Sequence, residues 1–208
     1  MARRGVRSNQ KLAAAPARRR IIAAARRAFF AHGFRRVTMD DLARELGMSK
    51  KTLYAGFPSK TALLEAVLGD KVRAIEADVE RITSGCAGGF PAALRELLAC
   101  LQRHADEIQP PLMQDLRREA PELFEQIERR RRAVVQRHFG KLLNEGRKAG
   151  AVRKDIPTAL VLEILLGAAQ AVMNPSKLAE LNLTPKAGLT AILRVILEGV
   201  ITTRGRVT

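Results

Sequence analysis

In the stretch "LARELGMSKKTLYAGF", residues 42–57, two helix-forming runs are separated only by Gly47-Met48-Ser49. An interruption this short leaves no room for a strand or a long loop, so it predicts two helices joined by a tight turn. Gly47 can take the left-handed conformation that stops the first helix. Ser49 can cap the second, which runs from Lys50 to about Phe57 with Leu53 inward. Upstream, Thr38 and Asp41 have the spacing of a capping box, and Met39, Leu42, Ala43 and Leu46 share one side of the helix that follows. A further helix from Arg18 places Ile21, Ile22, Ala25, Ala28 and Phe29 on one face, arginines opposite, and stops at Gly33.

Three short helices with this turn between the second and third form a helix-turn-helix, whose last helix is presented to the major groove of DNA. Lys50 and Lys51 are long donors at the positive end of that helix. Thr52 can meet a thymine methyl or a phosphate, and Tyr54 offers a hydroxyl to a phosphate oxygen. Lys60, beside the free amides of the next helix, can clamp another phosphate. A lysine by itself is most often part of a solvated face; the position at the start of this helix is what sets these apart.

Charge is distributed to match. Residues 1–60 carry 15 Lys/Arg against 3 Asp/Glu, a net of +12, whereas residues 61–208 carry 22 against 18, a net of +4. A basic head on a nearly balanced body suits a polyanion, either nucleic acid or an anionic membrane surface. The membrane reading needs large apolar residues opposite the arginines, but Ile21, Ile22, Phe29 and Phe30 are required to pack the head. The longest apolar run, residues 159–173, is broken by Glu163 and falls short of a span. A cytoplasmic protein is expected. Cys86 and Cys100 have no metal-site spacing, so no cofactor or metal is expected. His32, His104 and His138 are scattered and no phosphate loop or nucleophile elbow is present, which argues against an enzyme.

The segment "TMDDLARELGMSKKTLYAGFPSKTALL", residues 38–64, resembles the DNA-binding signature of TetR-type (tetracycline-repressor-like) bacterial transcriptional regulators. The resemblance rests on Thr38, Leu42-Ala43, Gly47, Ser49, Thr52-Leu53-Tyr54, Phe57, Lys60 and Leu63-Leu64, with "AFFAHGF" upstream and, more weakly, "EGRKAGAVRKDIP" at residues 145–157. It implies base-edge and nearby backbone contacts from Lys50, Lys51 and Thr52, and phosphate contacts from Thr38, Tyr54 and Lys60; Ser49 belongs to the same DNA-binding set, and Arg36, with Arg35 and the arm that carries Arg3, Arg4 and Arg7, can add backbone or minor-groove contacts. One position departs: Gly56 stands where family members often carry a ring. This predicts a lost phosphate contact and a frayed end of the recognition helix.

The fold expected is all-α with about nine helices: a basic disordered arm over 1–17, the head over 18–64 with its motif at 38–57, and an effector-binding and dimerisation body over 65–208. The body helices are expected near 60–83, 91–107, 111–118, 121–149, 156–173 and 185–202. The last two are apolar on most faces and need burial on two sides. Either both sides are internal, or one meets a second copy through Leu160, Ile164, Gly167, Ala168, Ala171, Ile192, Val195, Ile196 and Val200. The resemblance favours the second, a four-helix interface, and a two-fold dimer suits a palindromic operator. For an unidentified small-molecule effector the apolar candidates are Phe90, Leu94, Leu97, Leu98, Leu101, Met113, Leu116, Phe124, Ile127 and Met173, with Cys100, His104 and Gln170 as polar points. Each of these is read first as plain core and only then as an effector contact. The expected function is a homodimeric, ligand-responsive repressor. The alternative is an architectural protein that grips any DNA.

Overall fold

The computed structural model describes residues 3–85 and 88–201, with side chains from Pro16 onward except that of Pro110; Cys86 and the side chains of Arg3, Arg4 and Arg7 lie outside the described residues. The chain is all-α, in the order α1 (Arg3–His32), α2 (Met39–Glu45), α3 (Lys50–Gly56), α4 (Lys60–Gly85), α5 (Gly89–Asp106), α6 (Pro110–Glu119), α7 (Pro121–Val134), α8 (Gly140–Lys148), α9 (Thr158–Val172), α10 (Pro175–Glu180) and α11 (Pro185–Val200). A π-helical turn, Val135–Phe139, joins α7 to α8 in one rod, as the sequence periodicity predicts. The helix not foreseen is α10. Asn174 caps it by accepting from the Lys177 amide, and Pro175 fills its first turn.

The first correction concerns the arm. Residues 3–17 continue α1 rather than forming an irregular segment. Ala13, Ala14, Ala15 and Ala17 are strong helix formers, and the polar composition that suggested disorder is no barrier to extending a helix already anchored from Arg18 onward.

The second concerns the boundary at residue 64. The head core of Phe29, Phe30, Leu42, Leu53 and Phe57 also takes in Leu63, Leu64, Val67 and Leu68 of α4, Leu112 and Leu116 of α6, and Leu123 of α7. Three helices of seven to thirty residues have too little apolar surface to close a core on themselves, so the body supplies the missing wall. A separate body core gathers Val79 and Ile82 of α4 with Leu97 of α5, Leu142 of α8, Leu165 of α9 and Leu193 of α11.

Polar contacts reinforce the junction between head and body. Gly33 ends α1 with φ 84°, and the following Arg35 amide donates to Asp115 Oδ2 of α6 at 2.8 Å. A Cβ on Gly33 would lie 2.7 Å from that same carboxylate oxygen. The Gln109 amide donates to the Phe30 carbonyl at 3.1 Å. Leu112→Ala, a fully buried α6 position, should lower stability by about 2–5 kcal/mol, and amide protection in α1 and α2 should fall with it. Hydrogen exchange in urea measures both; an unaffected head would mean that it folds independently of α6.

Candidate nucleic-acid interface

The turn at residues 46–49 is built as its residue types require. The Met48 amide donates to the Ala43 carbonyl at 3.0 Å and the Gly47 amide to the Arg44 carbonyl at 3.1 Å. This is the double bond of a Schellman stop, with Gly47 at φ 62°. Met48 tucks its side chain against the head core. Ser49 then caps α3, accepting from the Thr52 amide at 3.1 Å. Thr38 caps α2 in the same way, accepting from the Asp41 amide at 3.1 Å, and Asp41 is held below its usual pKa by its hydrogen bond with the Thr38 hydroxyl.

Only Leu53 of α3 is buried, so the helix is anchored by one side chain and otherwise faces outward. Lys50, Lys51, Thr52 and Tyr54 are all exposed. Their environments differ. Lys50 Nζ is paired with Asp40 Oδ2 of α2 at 2.6 Å. Lys51 makes no ion pair among the described residues, and its ammonium is available to a ligand at once. Thr52 shares its hydroxyl with Ser49 Oγ at 2.9 Å. Tyr54 is 46% exposed, a large ring left in solvent. Arg36 is exposed in the turn that precedes α2.

Lys60 is less free than expected. Its ammonium lies 4.3 Å from the centre of the Phe34 ring and donates to the Arg35 carbonyl at 3.4 Å. Burial lowers its pKa, against the pull of Asp115 and Glu119. A phosphate contact from Lys60 therefore requires the side chain to leave the ring.

The predicted fraying at Gly56 has a counterweight that sequence spacing could not reveal. Arg18 of α1 donates to the Gly56 carbonyl at 3.1 Å, with its guanidinium 4.2 Å from the centre of the Phe57 ring. A cation at a helix C-terminus is favourable, and stacking on the ring adds to it. The Phe57 amide closes the helix on the Leu53 carbonyl at 3.0 Å.

The residues expected around an effector fall into two groups. Leu94 and Leu97 are buried in the body core, where Phe90 and Cys100 also lie and against which Leu98, Leu101 and Met173 pack. Leu116 belongs to the head core, with Met113, Phe124 and Ile127 packed on it. Gln170 is exposed. The division arises because α6 and α7 close over the head instead of facing α5 alone. Of these residues, only Ile127 borders an open groove of about 410 Å³, which runs from Arg18 and Phe57 to Arg73 and Arg130. His104 lies in a polar cluster between α4 and α5.

The dimer face also needs correction. Ile192 and Val200 are buried within their own body core, because α11 turns that side toward α5 and α9. Ala168 and Ile196 are half-buried, packed on the same core. Leu160 and Ile164 are each 50% exposed and Val195 is 73% exposed. Gly167 and Ala171 continue the exposed stripe on α9, and no atom lies within 4 Å of a Cβ built on Gly167.

Geometry and charge together define a helix-turn-helix protein with an outward recognition helix. Residues 21–67 match the family model "Bacterial regulatory proteins, tetR family". The chain is similar to the HTH-type transcriptional regulator UidR of Escherichia coli strain K12, 26% identical over 93% of this chain and 97% of that one. It is similar in fold to SmeT, the repressor of the Stenotrophomonas maltophilia multidrug efflux pump SmeDEF, with a TM-score of 0.66, 18% identity, and coverage of 91% and 93% of the two chains. SmeT is also known in a complex with triclosan. A TetR transcription regulatory protein from Mycobacterium vanbaalenii superposes with a TM-score of 0.60 at 26% identity, covering 93% and 99% of the two chains. Residues 21–67 thus form a DNA-binding segment of the TetR type, and along its length the chain is similar to TetR-type helix-turn-helix transcriptional regulators, a family of DNA-binding proteins rather than enzymes. Among the described residues, no helix is long and apolar enough to cross a membrane.

Replacing Arg18 by Ala should speed amide exchange at Gly56 and Phe57 by about 2–5-fold, the equivalent of a few tenths to 1 kcal/mol at a helix C-terminus, without lowering protection in α2. Unchanged exchange at Phe57 would show that α3 holds its last turn without this arginine.

Proposed function

We propose that the chain is a homodimeric repressor that reads a palindromic operator with two copies of α3 and releases it when the body binds an effector. The observation that carries this is the doubly capped turn, which sets Lys51, Thr52 and Tyr54 outward on a helix anchored through Leu53. Ser49, Lys50, Lys51 and Thr52 occupy the end of α3 nearest the bases. Tyr54, Thr38, Arg36 and Lys60 surround it as phosphate contacts that fix the register. Release follows from the shared core: a shift of α4 or α6 carries the head with it, because Asp115 and Leu112 are bound to the α1–α2 turn and to the head core. The SmeT–triclosan complex supports a small molecule as the effector.

Genomic fragments selected with the purified protein at about 0.15 M salt should yield a palindrome preferred over bulk DNA by about 10³ or more. Lys51→Ala should alter or abolish that preference. Tyr54→Ala should weaken binding to all sequences alike. Equal recovery of every fragment would instead support the architectural reading.

The dimer is supported by the exposed stripe of Leu160, Ile164, Gly167 and Ala171 beside Val195, since a face of this kind is left without cover in a monomer. Ile164→Glu combined with Val195→Glu should leave helix content unchanged and convert the protein to a monomer in sedimentation velocity. Operator affinity should fall with it, because two half-sites are no longer held together. A dimer that survives both glutamates would move the interface elsewhere.

A further inference from the structure

We infer that Asp78, Cys100 and His104 form a binding site for a divalent transition-metal ion of the zinc class, and that this ion is an effector of the regulator. The site itself stands on geometry; the effector role rests on the function proposed above. Asp78 comes from α4. Cys100 and His104 lie four residues apart on one face of α5, the spacing that lets two side chains of a helix share a ligand. One donor atom from each lies within 4.8 Å of the other two.

His104 Nε2 is 3.1 Å from Asp78 Oδ2, and Cys100 Sγ is 4.0 Å from the same oxygen. Tetrahedral zinc bonds of about 2.0–2.3 Å place nitrogen and oxygen ligands about 3.3 Å apart, and sulfur and oxygen about 3.5 Å apart. The Asp78–His104 spacing already fits, and Cys100 Sγ has to move inward to close the third corner. The donor set of thiolate, imidazole and carboxylate is borderline-soft and suits zinc or cobalt rather than calcium or magnesium. Three protein ligands leave a fourth position for water. Access is from the Asp78 side, whose side chain is 40% exposed against 12% for His104. Cys100 is fully buried. Its thiol proton departs to solvent when the metal–sulfur bond forms, and the two anionic ligands then neutralise the ion.

The surroundings provide a route from this site to the head. His104 Nδ1 is 2.8 Å from Lys71 Nζ, so the ammonium donates to a bare ring nitrogen. Lys71 also pairs with Glu107 at 2.8 Å, and Glu107 holds Arg26 of α1. A histidine that binds metal through Nε2 carries its proton on Nδ1. Two donors would then face each other, and Lys71 must give up the imidazole. The Nδ1 proton finds Glu107 Oε1, 3.8 Å away. Glu107 in turn must divide itself among His104, Lys71 and Arg26. Occupancy thus rearranges the hydrogen bonds that tie α4 and α5 to α1, the helices on which the head is mounted.

The test uses the reduced, chelator-treated full chain titrated with Co²⁺, followed by displacement with Zn²⁺. The expected result is a thiolate-to-cobalt charge-transfer band, with visible bands of four-coordinate cobalt. Cys86→Ser should keep the band. Cys100→Ser should lose it, and Asp78→Asn should weaken Co²⁺ binding by at least about tenfold. No charge-transfer band in the unmodified protein, or a band lost with Cys86 rather than Cys100, overturns the site. If Cys100→Ser fails to fold, the Cys86→Ser spectrum still decides, because the chain has only 2 cysteines. Zn²⁺ should change operator affinity at least about fivefold in the unmodified protein and not in Asp78→Asn. Metal bound with operator affinity unchanged overturns the effector role. Failure to find any operator counts against the regulator reading, and the cobalt spectrum then decides the metal site by itself.

Discussion

The long helix α4 is held by two different cores, and most of the molecule's behaviour depends on that arrangement. Its first turns give Leu63, Leu64, Val67 and Leu68 to the head core; its later turns give Val79 and Ile82 to the body core. Between them lies Lys71, with a side chain only 3% exposed. Burial lowers its pKa, while the Glu107 carboxylate beside it works in the opposite direction. Burial alone would raise Glu107, yet its hydrogen bonds from Lys71 and Arg26 outweigh this and hold it lowered. A buried charge is kept only where partners replace water. Here Lys71 of α4, His104 and Glu107 of α5 and its end, and Arg26 of α1 form one connected cluster, so the charge links three helices.

This layout packs head and body against shared helices. Packed interiors shift between discrete arrangements rather than deforming continuously. A displacement of α4 changes the walls of both cores, and α6 reports the same displacement through Asp115 to the α1–α2 turn. The head is joined to the body through α4, which continues from it, through α6 and α7, which close its core, and through Glu107 at the end of α5, which pairs with Arg26.

Much of this was legible in the sequence wherever local chemistry decides local structure. Gly47 and Ser49 could be read as a stop and a cap because both roles are met within four residues. The outward set on α3 followed from there being one inward residue, Leu53. Long-range facts were not legible. Gly56 suggested a frayed helix, but its carbonyl is capped by Arg18, 38 positions earlier in the chain. Helix α11 is apolar on several sides, so periodicity could not separate Ile192 and Val200, turned inward, from Val195, turned outward. Cys86 and Cys100 showed no metal-site spacing, and the nearness of Cys100 and His104 to Asp78 depends on how α4 packs against α5, which spacing along the chain does not give. The effector candidates on α5 to α7 were apolar in the right places, yet apolarity does not say which of two cores a helix will serve.

The pairing of Lys50 with Asp40 bears on how such a head tells DNA from solvent. Exposed pairs of this kind are worth about 0–1 kcal/mol, so exchanging the carboxylate for a phosphate or a base edge costs little. Until that exchange, Lys50 Nζ is held over α2, which limits the shapes the side chain explores and shields its charge from indiscriminate contact. Lys51 has no such tether among the described residues. Lys60 over the Phe34 ring is a third case, a cation parked on a weak partner at the head–body seam. Its neighbours Asp115 and Glu119 both belong to α6. Any movement of α6 therefore changes the field at Lys60, and with it the ease with which that side chain leaves for a phosphate. The same helix that closes the head core through Leu112 and Leu116 thus also sets the field at one of the cations of the head.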